Sequence, residues 1–466
     1  MSAKTELELL SLALEQMQAG FQHLPAYQTD CGDRLKLEEV LKEVTTRLRD
    51  NDPYFHPLYA GQMLKPPHPI ARLAYALSMW INPNNHALEG GRASAQMEKE
   101  AVAQLSKMFG WQTHLGHLTG GGTVANMEAL WIANKAKPGK AIAVSENAHY
   151  THKRMCEILG IPFVSIPCDM NMRMDIGALK EALNNHTIGT VVATMGTTLS
   201  GSVDPLPEIL ALSKPYKFRV HADAAYGGYY TLASQSLDQH TANCLGQLKE
   251  VDSLVIDPHK HGLLPYGCGC VLFKDVSVSA FYKHESPYTY LCSPELHLGE
   301  ISLECSRPGA AAVALWATQR FFPLVEDGEF ANNLSKSRQA ALALWKHLSG
   351  DQRFLPLLKP DLDIVLWAVR SSKASLSSSL AEEVQRRAVA ENLYLVIAKV
   401  PKKTVARIAH ENGLEFERDT DEVSCLRSCL MKPDHLDWLD NIWQILSRTT
   451  ANILAERASQ SNSPNY

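Results

Sequence analysis

No two of the ten cysteines stand at C-x-x-C spacing. They are dispersed along 466 residues, which fits free thiols in a reducing cytoplasm better than a disulfide framework. No apolar run is long enough to cross a bilayer, and residues 1–18 are interrupted by Lys4, Glu6, Glu8 and Glu15. Neither a membrane span nor a signal peptide is expected. Charge of one sign is not in excess: a net −5 gives no ground for nucleic-acid binding. The dinucleotide pattern G-x-G-x-x-G is absent. His149 and His152 have no third ligand beside them, so no metal centre is expected.

What is present reads as an enzyme-sized globular chain, 45% hydrophobic and 20% charged, long enough for a large core and a second domain. Short apolar runs at 141–144, 163–166, 190–195, 218–222, 254–256 and 269–273 have strand length. Helical segments at 152–159, 176–184 and 206–213 separate several of them. That alternation predicts an α/β sheet covered on both faces, with binding residues at the carboxyl ends of its strands. From about residue 324 the character changes to a smaller α+β region, with a serine-rich link at 371–379 and a helix at 380–391. Residues 5–18 and about 35–48 carry amphipathic helices that must pack on the body or on a partner subunit.

Chemistry gathers at three of these strand ends. Pro258 stops the run 254–256 and leaves His259 and Lys260 at its exit. A desolvated lysine there loses its proton more readily and can serve as a Schiff-base nucleophile; a solvated surface lysine is the plain alternative. The run 218–222 ends in Asp223, followed by residues too small to block a flat ring. A carboxylate in that place keeps a pyridine nitrogen protonated; a helix N-cap is the alternative. Thr119-Gly120-Gly121-Gly122-Thr123 opens a helix, where close backbone N–H groups and the helix dipole favour an anion. The irregular stretch 283–300 reads as a lid.

Asp257-Pro258-His259-Lys260, with His221-Ala222-Asp223-Ala224-Ala225 before it, resembles the group II pyridoxal-phosphate (PLP) amino-acid decarboxylases, bacterial tyrosine and aromatic-amino-acid enzymes most of all. The likeness runs through His56-Pro57-Leu58-Tyr59-Ala60-Gly61-Gln62-Met63, Asn82-Pro83-Asn84-Asn85, the glycine run, and Ser306-Arg307-Pro308-Gly309. It implies a fold-type I, aspartate-aminotransferase-like α/β architecture and a homodimer with sites at the subunit interface. The chain would divide into an N-terminal helical segment (1–52), a large mixed-sheet PLP domain (53–323), a small α+β domain (324–456) and a tail (457–466).

The resemblance also implies site residues. PLP would be held covalently on Lys260, its phosphate on Gly122 and Thr123, and its ring between His149 and the small Ala225, with Asp223 at the ring nitrogen. Thr198 and His259 would complete the cofactor contacts. Tyr59 and Arg427 would face the substrate, and Tyr288 on the lid, with Tyr290 its nearby competitor, would return a proton to Cα. Asp204 reads as a structural acid orienting its loop. Arg307 stays open between an ion pair and a neighbouring subunit's phosphate. The expected reaction is decarboxylation of a small-molecule substrate, an L-amino acid. An aromatic one is preferred, because Tyr54, Phe55 and Tyr59 suggest an aromatic wall without a basic cluster. Rival readings are another PLP reaction (decarboxylative aldehyde synthesis, transamination, carbon–carbon lysis) or a non-catalytic scaffold. The intact set His149, Asp223 and Lys260 opposes the scaffold.

Overall fold

A computed structural model describes residues 2–25, 32–283 and 297–461. Its large sheet holds β1 (Leu115–Thr119), β2 (Ala141–Ser145), β3 (Phe163–Ile166), β4 (Ile188–Thr194), β5 (Arg219–Asp223), β6 (Ser253–Ile256) and β7 (Gly269–Phe273), in the order β1-β7-β6-β5-β4-β2-β3. β2, β4, β6 and β7 are buried along their whole length. That is why they are continuous apolar runs rather than alternating ones. β2 to β6 pair in parallel through crossover helices, among them Thr151–Leu159, Ile176–Asn185 and Leu206–Tyr216. β7 returns from β6 without a helix and lies antiparallel to both β6 and β1.

β1 escapes a hydrophobic reading because Gly116 and His117 interrupt it. The structure explains both residues. A Cβ at Gly116 would lie 2.5 Å from the Leu272 side chain. His117 is buried, with Nε2 3.0 Å from Glu128 Oε2.

A second, antiparallel sheet orders β10 (Val396–Pro401), β11 (Glu422–Cys429), β9 (Ile364–Val369) and β8 (Phe354–Pro356). Helices Glu329–Ser349, Ala374–Ala390 and Leu439–Ser461 pack around the core of Trp367, Leu344, Val384 and Ile442. The stretch expected as a serine-rich link is largely helical. Ser377 Oγ donates to Val369 O at the end of β9 at 2.7 Å and Ser378 Oγ to Ala374 O inside the helix at 2.8 Å, so both hydroxyls are satisfied. The loop at 56–63 hangs on this sheet: Ala60 N donates to Tyr394 O and Cys429 N to Ala60 O.

Helices Ala3–Ala19 and Arg34–Leu48 bury no residue of their own, and Leu7, Leu12, Leu35 and Leu41 are exposed. The first is tied to the body by Glu6 and Arg72, 2.7 Å apart. Among the described residues no helix is long and apolar enough to cross a membrane.

Candidate active site

The parallel pairing of β4, β5 and β6 sets their carboxyl ends side by side. Thr194, Asp223 and Asp257 therefore converge with the start of helix Gly122–Ala136 around one cleft of about 380 Å3. Of the residues expected from sequence, Gly122, Thr123, His149, Thr198, Asp223, Ala225, His259 and Lys260 all line it.

Lys260 Nζ lies 3.0 Å from Asp257 Oδ2. Burial pulls the ammonium down, but the charges of Asp257 and Asp223 outweigh it and hold Lys260 above the ordinary lysine value. The expected loss of its proton is thus opposed by the chain itself, through an acid one turn away. The Asp257 carboxylate presses on the glycine run: a Cβ at Gly122 would lie 2.6 Å from Oδ2. Only glycine lets the helix N-terminus come this close. Gly121, at φ +147°, makes the turn into it. Asp257 Oδ1 is buried without a hydrogen-bond partner among the described residues.

At the neighbouring strand end, Asp223 Oδ2 is 2.8 Å from His152 Nε2, and Oδ1 accepts from Ala225 N at 3.2 Å. Burial pushes the Asp223 carboxyl up. The hydrogen bond and charge of His152 and the charge of Lys260 outweigh it and hold the group well below the usual carboxylate range. His149 Nδ1 accepts from Thr151 N at 3.3 Å and lies 2.6 Å from Thr151 Oγ1. Its ring proton therefore belongs on Nε2, and burial lowers its pKa, so the ring is neutral. His259 Nδ1 is 2.7 Å from Cys268 O, its ring is 4.9 Å from that of Tyr266, and burial lowers its pKa too.

The remaining expectations fall elsewhere. Arg427, on β11, reaches the cleft wall only through the Thr198 carbonyl (2.8 Å); its other arm holds Gln62 Oε1 at 2.5 Å. Tyr59 does not line the cleft. It is buried between Tyr54 and Tyr394, its carbonyl accepts from Lys432 Nζ at 2.6 Å, and burial raises its phenol to about 12. Arg307 is buried in an ion pair with Glu98 at 2.9 Å and also donates to Leu118 O. Tyr288 lies outside the described residues, as does most of the stretch read as a lid.

Two contributors go beyond the site residues expected from sequence. Asp257 stands in plain view inside the Asp-Pro-His-Lys motif. His152 carries in sequence only the metal reading, since nothing there ties it to a strand end 71 residues away. No group of three metal-ligating side chains occurs among the described residues.

This donor set fits PLP. A glycine cradle at a helix N-terminus suits a phosphate, and Gly120 N already donates to a carboxylate oxygen of Glu304 at 3.2 Å. A buried acid, a flat neutral imidazole, a lysine and a Thr194 hydroxyl without a partner among the described residues surround the space beyond it.

The family profile described as "Pyridoxal-dependent decarboxylase conserved domain" matches residues 33–370. The L-tyrosine decarboxylase of Enterococcus faecium is 27% identical, over 71% of this chain and 72% of its own. A probable L-aspartate decarboxylase of Thermococcus gammatolerans is 27% identical, over 83% of this chain and 97% of its own. Among solved structures, Oryza sativa TDC with PLP and tryptamine has a TM-score of 0.77 at 16% identity, covering 97% of both chains. The glutamate decarboxylase domain of a Vibrio parahaemolyticus diaminobutyrate enzyme has a TM-score of 0.73 at 17% identity, covering 96% of this chain and 94% of that one. These structures share the fold, and the fold-type I expectation is met.

Proposed function

The chain belongs to the pyridoxal-dependent decarboxylase family, and from that premise we propose that its substrate is an aromatic L-amino acid, tyrosine or a near relative, converted to the amine and carbon dioxide. Amino-acid decarboxylation with PLP as cofactor is the family's activity and this chain's. The chemistry that PLP supplies when bound is an electron sink for the pair left at Cα.

The chain's own residues do the rest. Lys260 is the proposed point of covalent attachment. The N–H groups of Gly122 and Thr123 would hold the phosphate, and the His149 ring would face the cofactor ring. Asp223 would keep a proton at the ring nitrogen, and Thr198, Ala225 and His259, which line the same cleft, would complete the contacts. Arg427 is the proposed anchor for the substrate carboxylate, and Tyr59 backs the wall behind it. Tyr288, from sequence alone, is the proposed donor of the proton to Cα. Tyr288→Phe should then release aldehyde in place of amine, read by product analysis under air.

One observation carries the substrate class. Among the described residues lining the cleft, Lys260 is the one lysine or arginine, and it is already paired with Asp257. An acidic side chain would enter without a counter-ion, at a cost of several kcal/mol. Tyr150 and Tyr226 line the same cleft and offer aromatic surface. The test is kcat/KM for purified PLP-loaded protein on tyrosine, phenylalanine, tryptophan, aspartate and glutamate. At least about tenfold preference for an aromatic substrate is expected; preference for aspartate or glutamate overturns the reading.

A homodimer is proposed on the exposed apolar residues of helices Ala3–Ala19 and Arg34–Leu48, and light scattering reads it. A cytoplasmic setting is proposed on the free thiols of all eight described cysteines, and fractionation of the source cell reads it. The division at about residue 324 is proposed on the second sheet, β8 to β11, and the core of Trp367, Leu344, Val384 and Ile442 beside it, and limited proteolysis reads it.

A further inference from the structure

Four groups face Asp223: His152 from helix Thr151–Leu159, His149 before that helix, His221 on β5 itself, and Lys260 from the exit of β6. Three of them are committed elsewhere. His221 lies 2.9 Å from Ser253 Oγ by one nitrogen and 2.9 Å from Asn126 Oδ1 by the other. His149 is held by Thr151, and Lys260 by Asp257. His152 alone among these side chains makes a hydrogen bond to the carboxylate.

The chemistry of that bond is constrained. An ionised carboxylate only accepts, so Nε2 of His152 carries the proton. The ring is fully buried, and Nδ1 has no partner among the described residues. One oxygen of Asp223 is fixed by His152 and the other by the Ala225 N–H. His152 itself does not line the cleft.

We infer that His152 is a positioning residue: it clamps Asp223 so that the carboxylate's charge is held toward the ring nitrogen of the bound cofactor. The inference rests on the proposed role of Asp223 and names what makes that role work. Without the clamp, the carboxylate rotates, the ring nitrogen loses part of its proton, and turnover falls while substrate binding does not.

The test uses two amides of opposite reach. The amide nitrogen of Gln overlays His Nε2, whereas that of Asn overlays Nδ1 and cannot reach Asp223. Holoenzymes of the parent, His152→Gln, His152→Asn and Asp223→Asn are loaded with ring-15N-labelled PLP. The protonation of the ring nitrogen is read by NMR beside kcat and KM.

The expected result is a protonated signal in the parent and in His152→Gln, and its loss in His152→Asn. kcat should fall about tenfold in His152→Asn, with KM within about threefold of the parent. If Asn does not fold at this buried position, His152→Leu should show the same loss. Parent-like signal and kcat in the donor-less variant, or equal losses in Gln and Asn, overturn the inference. Asp223→Asn separates the two readings. If it too keeps the protonated signal, the role of Asp223 fails. If it loses the signal while His152→Asn keeps it, only the role of His152 fails.

Discussion

Asp204 and Asp223 are buried aspartates beside neighbouring strands of one sheet, and their surroundings send them in opposite directions. Asp204 closes the loop that leaves β4. Its oxygens accept from Met174 N at 2.7 Å and Thr194 N at 2.8 Å. Burial pushes its carboxyl up to about 6. Asp223 suffers the same burial, but His152 and Lys260 more than offset it, and the group is held well below the ordinary value. The acid that binds backbone on both oxygens joins two pieces of chain. The acid that gathers a histidine and a lysine, and opens on a cleft, is placed for chemistry. Burial alone does not tell a working acid from a structural one; the partners do.

The contrast breaks most directly at Asp223. Asp223→Ala should lower turnover on the order of 10²–10³-fold, as expected for removing a charge aimed at the reacting system. Cofactor binding should weaken far less, because Lys260 and the glycine cradle remain. Turnover of the PLP-saturated variant, beside its cofactor dissociation constant, checks this. Near-parent turnover would leave the two acids functionally alike.

Most of this arrangement is legible in the amino-acid sequence. The apolar runs locate six of the seven strands of the large sheet, and the four that are buried along their whole length, β2, β4, β6 and β7, carry an unbroken signal. The residues at their carboxyl ends outline the cleft. β1 is hidden by Gly116, which is needed because β7 packs too close for a Cβ. His152 is hidden for a different reason: its partner Asp223 lies 71 residues away at the end of β5, and no local pattern encodes that distance. The motif at 56–63 puts Tyr59 near the substrate, yet its backbone is tied to the second sheet and its ring is buried there. Asp204, read in the sequence as orienting its loop, accepts from the backbone N–H groups of Met174 and Thr194.

Asp204→Ala sharpens the contrast from the other side. It strips two buried N–H groups, those of Met174 and Thr194, of their acceptor. Each costs about 1–3 kcal/mol when left unmet, so a loss of about 2–6 kcal/mol in unfolding free energy is expected. Turnover per folded holoenzyme should stay within about threefold of the parent. Urea midpoints give the first quantity, and turnover normalised to bound cofactor gives the second. A large loss of turnover without loss of stability would move Asp204 into the chemistry.

The smallest effect is in the pH dependence of stability, where the two acids have opposite signs. Between its ordinary value of 3.8 and its folded value of about 6, Asp204 keeps a proton in the native state that the unfolded chain has released. Its stabilising contribution is therefore complete below about pH 4 and is lost as pH rises through about 6. Asp223, held low, does the reverse: its contribution is present above the ordinary carboxylate value and is lost only as pH falls beneath it. Asp363 is also pushed up to about 6 by burial, while burial lowers Lys65 to about 8 and Lys432 to about 7, so the parent's curve sums several groups. Differences between parent and variant remove those shared contributions. With urea midpoints taken from about pH 4 to pH 7, the stability gap between parent and Asp204→Asn should shrink as pH rises, by about 1–3 kcal/mol. The gap between parent and Asp223→Asn should stay level from about pH 5 to pH 7, since Asp223 is ionised in both states there. A constant gap for Asp204→Asn would mean that burial does not hold its proton, and that Asp204 and Asp223 differ in their partners but not in their charge.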